Sequence, residues 1–282
     1  MSTIRAYAKI NLTLDIVGKR TDGYHSLRSV MQSIGLYDEI TLAKQEEFSV
    51  QSDLRFLPCG EQNIAWKAAR LFMDEIKSGD GVGIQIKKHI PVGGGLGGGS
   101  ADAAAVLVGL NRMYGFPVSR DRLLALGLQC GADVPFCMTG GTCLAEGLGE
   151  ILTPLPPMPD CRILLVCPRF PLSTKKIFSL VDMKKVKHHP DTQGVISALE
   201  NQDVDSVLIR LFNCLEAFVP RPEIKEYKKL LLDQGATAAL MTGSGSVVYG
   251  IYTEEEKARA AKEFFSKLGL RSYLTNPVSA IF

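Results

Sequence analysis

Along the first fifty residues apolar and polar side chains alternate, and a period of two puts every second side chain on one face of a strand. Residues 4–8, 12–16 and 39–42 carry that pattern and are predicted as half-buried strands. Thr21-Asp22-Gly23 supplies the turn between the second and the third. Over 63–77 the period changes: Ile64, Ala68, Leu71, Phe72 and Ile76 fall on one side of a helix. Alternation returns at Val82, Ile84 and Ile86, predicting a strand over 82–90 that Pro91 ends. The alanine-rich stretch 100–114 predicts a helix, and 121–129 a second one. Pro154, Pro156, Pro157 and Pro159 mark the clearest boundary. Beyond them 162–167 reads as a short apolar strand. Helices over 193–200, 203–217, 223–234 and 254–268 then alternate with strands over 238–241, 247–252 and 271–275. No internal repeat interrupts the order. The sum is an α+β protein of two lobes, residues 1–155 and 156–282, with a site expected between them.

One segment fits neither period. Residues 93–99 read Gly93-Gly94-Gly95-Leu96-Gly97-Gly98-Gly99. Glycine loses more backbone freedom on folding than any other residue, so such a run persists where bare backbone must wrap something closely. The glycines feed a helix N-terminus, where free N–H groups and the helix dipole attract anions. Phosphate is the expected guest; a flexible linker is the plain alternative. A Walker A loop ends in Gly-Lys-Ser/Thr, whereas Ser100 follows Gly99 directly, so that type is excluded. Gly93, Gly95 and Gly98 satisfy the G-x-G-x-x-G dinucleotide fingerprint. That fingerprint follows a continuously apolar parallel strand, and the strand here alternates.

Composition narrows the partners. The chain has 282 residues, 46% hydrophobic and 22% charged, enough for two lobes with real cores. Lys and Arg number 32 against 30 acids, a net charge of +2, which offers no field for nucleic acid. The basic run 184–189 reads as a solvated loop. No stretch reaches the roughly 18 apolar residues of a membrane span, and no secretory signal opens the chain. Expected is a cytoplasmic protein without nucleic-acid or membrane partners, a monomer or weak homodimer. Its seven cysteines form no C-x-x-C pair and are expected as buried, reduced thiols.

Residues 91–104 have the form P-x-G-G-G-L-G-G-G-S-(A/S)-x-A-A and resemble the phosphate loop of the GHMP kinases, the superfamily of galactokinase, homoserine kinase and mevalonate kinase. Four more segments agree, in order. Ala8-Lys9-Ile10-Asn11-Leu12 resembles an N-terminal A-K-I-N-L strand, and Arg20 to Leu27 an R-x-D-G-Y-H-x-L loop. Gly131 to Phe136 resembles a G-A-D-V-P-F segment. Thr242-Gly243-Ser244-Gly245-Ser246 resembles the late glycine motif, with Thr242 for its usual serine and Ser246 for its usual proline. The triple glycine and the Asp22-Gly23-Tyr24-His25 loop are most similar to the branch acting on a cytidine-diphosphate sugar alcohol. The resemblance implies a ribosomal-S5-domain-2-like N-terminal lobe and a ferredoxin-like C-terminal lobe. It implies ATP-dependent phosphorylation of the 2-hydroxyl of 4-diphosphocytidyl-2-C-methyl-D-erythritol, in the non-mevalonate route to isoprenoids, with Mg2+ on the ATP oxygens. The alternatives are a homoserine or mevalonate type of kinase, or a silent nucleotide-binding regulator.

Each candidate residue has a plain reading beside the implied one. By pattern alone Lys9 points to solvent from a strand; the resemblance puts it beside the phosphoryl acceptor. Asp133 could simply cap a helix with Pro135 in its first turn; the resemblance makes it the catalytic carboxylate that takes the hydroxyl proton, paired with Lys9. Ser100 reads as an N-cap or as a hydroxyl on phosphate or metal; the neighbouring position is Ala101, where many relatives have a second serine. No metal ligand is assigned, and Asp102 reads as an acid in the first helical turn. Pro91, Val92, Gly93, Gly94, Gly95, Leu96, Gly97, Gly98, Gly99, Ser100 and Ala101 would wrap the triphosphate, with Asn63 and Lys88 bordering the adenine pocket. On the acceptor side the resemblance implies a clamp: Tyr24 stacks on cytosine, His25 bonds its edge, and Phe178 covers the other face. Phe178 could equally be core. Asn11, Thr174, Gly243 and Gly245 would complete the acceptor site.

Overall fold

The computed structural model describes residues 2–279. The alternating N-terminal segment forms strands longer than predicted: β1 (Ser2–Asn11), β2 (Thr13–Lys19) and β3 (His25–Gln45), with a short β4 (Ser49–Ser52) that the pattern missed. Helix α1 (Ile64–Glu75) starts where Asn63 accepts the Ala65 amide at 2.9 Å. Its dry face is Ala65, Ala68, Ala69, Phe72 and Met73. Ile64, Leu71 and Ile76, predicted to face inward, are only half-buried. Then come β5 (Gly81–Lys87), α2 (Gly98–Met113), α3 (Arg120–Cys130), α4 (Val134–Thr139), β6 (Thr142–Gly147) and β7 (Ile151–Pro154). β6 and β7 were not predicted.

β3 is the spine of an eight-stranded sheet. β1 and β2 pair along one of its edges; β6 and β5 share the other. Helix α2 lies flat on this sheet because its contact face is small. A Cβ on Gly109 would stand 2.2 Å from Ile4 Cδ1 and 2.6 Å from Leu42 Cδ1. Ala101, Ala103, Ala104 and Ala105 are all buried around it.

After the prolines the chain forms β8 (Arg162–Cys167), α5 (Thr174–Ser179), α6 (Thr192–Glu200) and α7 (Val204–Leu208). The helix predicted over 203–217 stops at Leu208. Residues 212–213 become β9 (Phe212–Asn213), parallel to β2, and Cys214–Phe218 a 3-10 turn. Then follow α8 (Glu223–Asp233), β10 (Ala238–Met241), β11 (Val248–Tyr252), α9 (Glu255–Lys267) and β12 (Arg271–Thr275). β10-β11-β8-β12 form a second, antiparallel sheet. α8 and α9 pack on it. The C-terminal segment returns to the first sheet: Asn276 O accepts the Gly35 amide and the Val278 amide donates to Ser33 O, both at 2.9 Å. It thereby covers the stretch of β3 between β6 and β5.

Among the described residues no helix is long and apolar enough to cross a membrane. All seven cysteines are free. Cys137, Cys143, Cys161 and Cys214 are buried as expected, but Cys59 is exposed. Burial pushes the Cys130 and Cys143 thiols up to about 11, which makes them poor nucleophiles. The basic run is exposed at Lys184, Lys185, Lys187 and His188. His189 departs from a purely solvated loop, with Nδ1 2.8 Å from Asp15 Oδ1.

Candidate active site

The glycine run and the turn at 242–246 pack together along the wall of a cleft of about 1250 Å3. Two hydrogen bonds staple them together: the Val247 amide donates to Gly94 O at 3.1 Å, and the Thr242 hydroxyl to Gly95 O at 3.3 Å. Gly95 has φ +79, and a Cβ there would stand 2.3 Å from Thr242 O. Only glycine permits that approach. The Lys9 amide ties the same loop to β1 through Leu96 O at 3.0 Å.

Helix α2 starts two residues earlier than predicted, with Gly97 at its N-cap in the left-handed region, φ 70. Ser100 is therefore not the cap but the third helical residue. The bond from Ala101 N to Gly97 O, 2.8 Å, is the first of the helix, so the Gly98, Gly99 and Ser100 amides precede it and lack helical acceptors. With no acid in its first turn, the helix presents an uncompensated positive end to the cleft. Asp102 lies past that turn and is buried.

Lys9 does not face solvent. The glycine loop covers it, a Cβ on Gly97 standing 3.0 Å from its Cγ, and it is 4% exposed. Its Nζ donates to Asn11 Oδ1 at 2.9 Å and lies 3.4 Å from Asp133 Oδ2. Asp133 occupies the N-cap position of α4 but its side chain caps nothing. Its carboxylate is instead open toward the cleft, 37% exposed. Asn11 is oriented by Ser29, whose Oγ accepts its Nδ2 at 2.8 Å. Ser29 is a contributor that the sequence reading missed, since neither pattern nor spacing marks a lone hydroxyl; Thr242, read there as part of the late glycine motif, accepts the Asn11 amide at 3.3 Å.

On the loop's other side, Lys88 lines the cleft but its ammonium is engaged by Asp38 and, at 2.7 Å, by Asp102. Burial would lower the Lys88 pKa, but the two carboxylates outweigh it and raise it. Burial pushes the Asp102 carboxyl up to about 8, against the pull of Lys88 and with the repulsion of Asp38. Asn63 also borders the cleft, its side chain already used by Ala65 N and, at 2.8 Å, by Pro58 O.

The far end of the cleft is aromatic. The turn before β3 is held by Asp22, which accepts the Tyr24 amide at 3.1 Å and pairs with Arg20. Tyr24 projects from it, 66% exposed. The His25 and Phe178 rings lie 5.8 Å apart. Burial first, then the charge of Lys19, lowers the His25 pKa below 6.5, so its imidazole is neutral at pH 7. His25 Nε2 is buried without a partner. Phe178 is half-buried, packed on the second core and still lining the cleft, so both readings of it hold. Thr174 Oγ1 is 2.8 Å from Ser244 Oγ. Gly243 passes so close to Lys9 that a Cβ would be 3.5 Å from Nζ. Gly245 packs against Met241 and Leu172. The sequence-predicted residues thus line one continuous cleft or its backing, except Ala101 and Gly245, which sit in the packing behind it. Among the described residues no group of three or more His, Cys, Asp or Glu could hold a metal ion.

The GHMP kinases N terminal domain pattern matches residues 63–141, and the GHMP kinases C terminal pattern residues 195–269. The 4-diphosphocytidyl-2-C-methyl-D-erythritol kinase of Lachnospira eligens is 43% identical over 270 residues, 94% of each chain. The enzyme of the same name from Lachnoclostridium phytofermentans is 42% identical over 97% of this chain and 96% of its own. A crystal structure of 4-(cytidine 5'-diphospho)-2C-methyl-D-erythritol kinase superposes with a TM-score of 0.84 at 31% identity, covering 99% of this chain and 100% of that one.

Proposed function

The chain belongs to the GHMP kinases and, within them, to the 4-diphosphocytidyl-2-C-methyl-D-erythritol kinase family, and on that premise we propose that its cleft moves the γ-phosphoryl group of ATP to the 2-hydroxyl of that diphosphocytidyl sugar alcohol. The observation that carries the site assignment is the Lys9–Asp133 pair, 3.4 Å apart, at the end of the glycine loop. Asp133 accepts the hydroxyl proton. Lys9, buried and held by Asn11, draws the acceptor oxygen and the transferring group together by charge. The Gly98, Gly99 and Ser100 amides hold phosphate oxygens in place, and Asn63 and Lys88 border the adenine. Tyr24 and Phe178 flank the cytosine while His25, neutral, bonds its edge; Thr174 and Gly243 line the path between. Phosphoryl transfer asks mainly for positioning and charge neutralisation, which this arrangement supplies.

Magnesium fits the site as a passenger of ATP. The Ser100 hydroxyl and the Asp133 carboxylate both line the cleft beside the glycine loop, and Mg2+ ordinarily takes one or two protein oxygens beside phosphate and water. Bound there it would neutralise charge on the phosphates. Residues 1–155 then carry the nucleotide and the catalytic pair, while Thr174, Phe178 and Gly243 come from 156–282. With a net charge of only +2 we propose no nucleic-acid partner, and we place the enzyme in the cytoplasm, as a monomer or weak homodimer.

The homoserine and mevalonate readings offer no use for the Tyr24–His25–Phe178 group. The test is ADP release from magnesium-ATP with alcohols bearing or lacking the cytidine diphosphate. Turnover only with the cytidine compound, reduced about 10²- to 10⁴-fold by Asp133→Asn with ATP binding intact, is expected. Wild-type turnover in Asp133→Asn would remove the base, and equal rates with simple alcohols would remove the clamp.

A further inference from the structure

Asp38, Lys88 and Asp102 lie buried together behind the glycine loop. Packing alone does not ask for them. Two acids on one base are costly to desolvate, and apolar side chains of similar volume often serve stability as well. The cluster is also incomplete as a structural salt bridge, because Asp102 Oδ1 is buried with no hydrogen-bond partner.

Its connectivity is what stands out. Asp38 Oδ1 accepts the His89 amide at 2.6 Å and the Ile90 amide at 2.8 Å, the two residues just before Pro91. Asp38 Oδ2 accepts from Lys88 Nζ, which also donates to Asp102 Oδ2 on α2. The cluster therefore bridges the two ends of the glycine loop. Lys88 Nζ stands only 3.5 Å from where a Cβ on Gly98 would be, beside the first turn of the helix. A loop this rich in glycine must be ordered before its amides can converge on an anion, and ordering it at the moment of binding would cost affinity.

We propose that Asp38 and Asp102 are positioning residues for ATP: through Lys88 they latch the start of the glycine loop to the helix that ends it, and so pre-order the Gly98, Gly99 and Ser100 amides. The proposal rests on the glycine loop being the ATP site. Neither acid touches the reacting atoms, so the latch acts on nucleotide affinity and leaves the chemical step alone.

Steady-state kinetics with both substrates varied test it. Asp102→Leu cuts the latch on the helix side and raises the KM for ATP about tenfold or more, with kcat and the acceptor KM within about twofold of wild type. Asp102→Asn keeps an oxygen for Lys88 and brings the ATP KM back to within about threefold. Asp38→Asn keeps Oδ1 for the two amides but turns an amide nitrogen toward the ammonium; it raises the ATP KM in the same way, and it serves if Asp102→Leu does not fold. An unchanged ATP KM in either folded variant overturns the proposal. So does a parallel rise of both KM values, or an Asn at 102 as damaging as Leu. A wild-type protein that shows no saturable ATP dependence would strike at the ATP site itself, a different failure.

Discussion

At the scale of single residues the site is made of groups whose environment defines their role. His25 is the clearest instance. Its ordinary pKa is 6.5, and burial together with Lys19 lowers it in the folded protein. The unfolded chain therefore binds the proton more readily, so this residue's contribution to stability is present above pH 6.5 and is lost as pH falls through the lowered value. Binding follows the same sign, since a neutral ring can accept from cytosine and a protonated one cannot. The kcat/KM for the cytidine substrate should be flat above pH 6.5 and fall below it, while the KM for ATP stays level. His25→Gln should abolish the fall. A profile unchanged by that substitution would take His25 out of recognition. Lys9 and Asp133 teach the converse lesson. Alternation alone puts Lys9 in solvent, and only the packing of the glycine loop over β1 buries it.

At the scale of elements, the glycine loop is defined by what it touches. Gly95 combines φ +79 with a 2.3 Å approach to Thr242 O, so Gly95→Ala strains the backbone and parts the loop from the turn at 242–246. The cost of about 2–3 kcal/mol should lower the melting temperature by roughly 3–5 °C and raise the KM for ATP. Gly60→Ala, where a Cβ meets nothing within 4 Å, should do neither. Equal behaviour of the two variants would refute the stapled loop. Elements also show where periodicity misleads. Residues 203–217 carry helical spacing, yet the chain leaves the helix after Leu208 so that Asn213 can reach inward. Its Nδ2 donates to Met241 O and Gly243 O, each at 2.8 Å, and its Oδ1 caps Leu215 N. Two long-range bonds and a local cap outweigh a weak helical preference.

At the scale of the molecule, the chain closes on itself. The segment 276–278 seals the edge of β3 opposite the stretch that pairs with Lys9. Ending the chain at Thr275 should expose that edge, speed hydrogen exchange at the Gly35 amide and leave the β3–β5 amides protected. Unaltered exchange at Gly35 would show the seal to be dispensable. Much of this architecture was legible in advance. Three C-terminal-half strands, 162–167, 238–241 and 271–275, match their predicted bounds, because short runs hemmed in by helices and turn residues leave little choice. β6 and β7, an antiparallel pair, were missed because they carry mixed, weakly alternating residues. The glycine loop was legible as an anion site from residue type and local order, while the proposed Lys9–Asp133 pair and Tyr24–His25–Phe178 clamp came from the family resemblance of their motifs. The latch of Asp38, Lys88 and Asp102 could not, and neither could Asn213 or Ser29. These residues are separated by tens of positions in sequence and acquire meaning only when sheet register and helix docking bring their polar atoms into a medium that forbids them to remain unpaired.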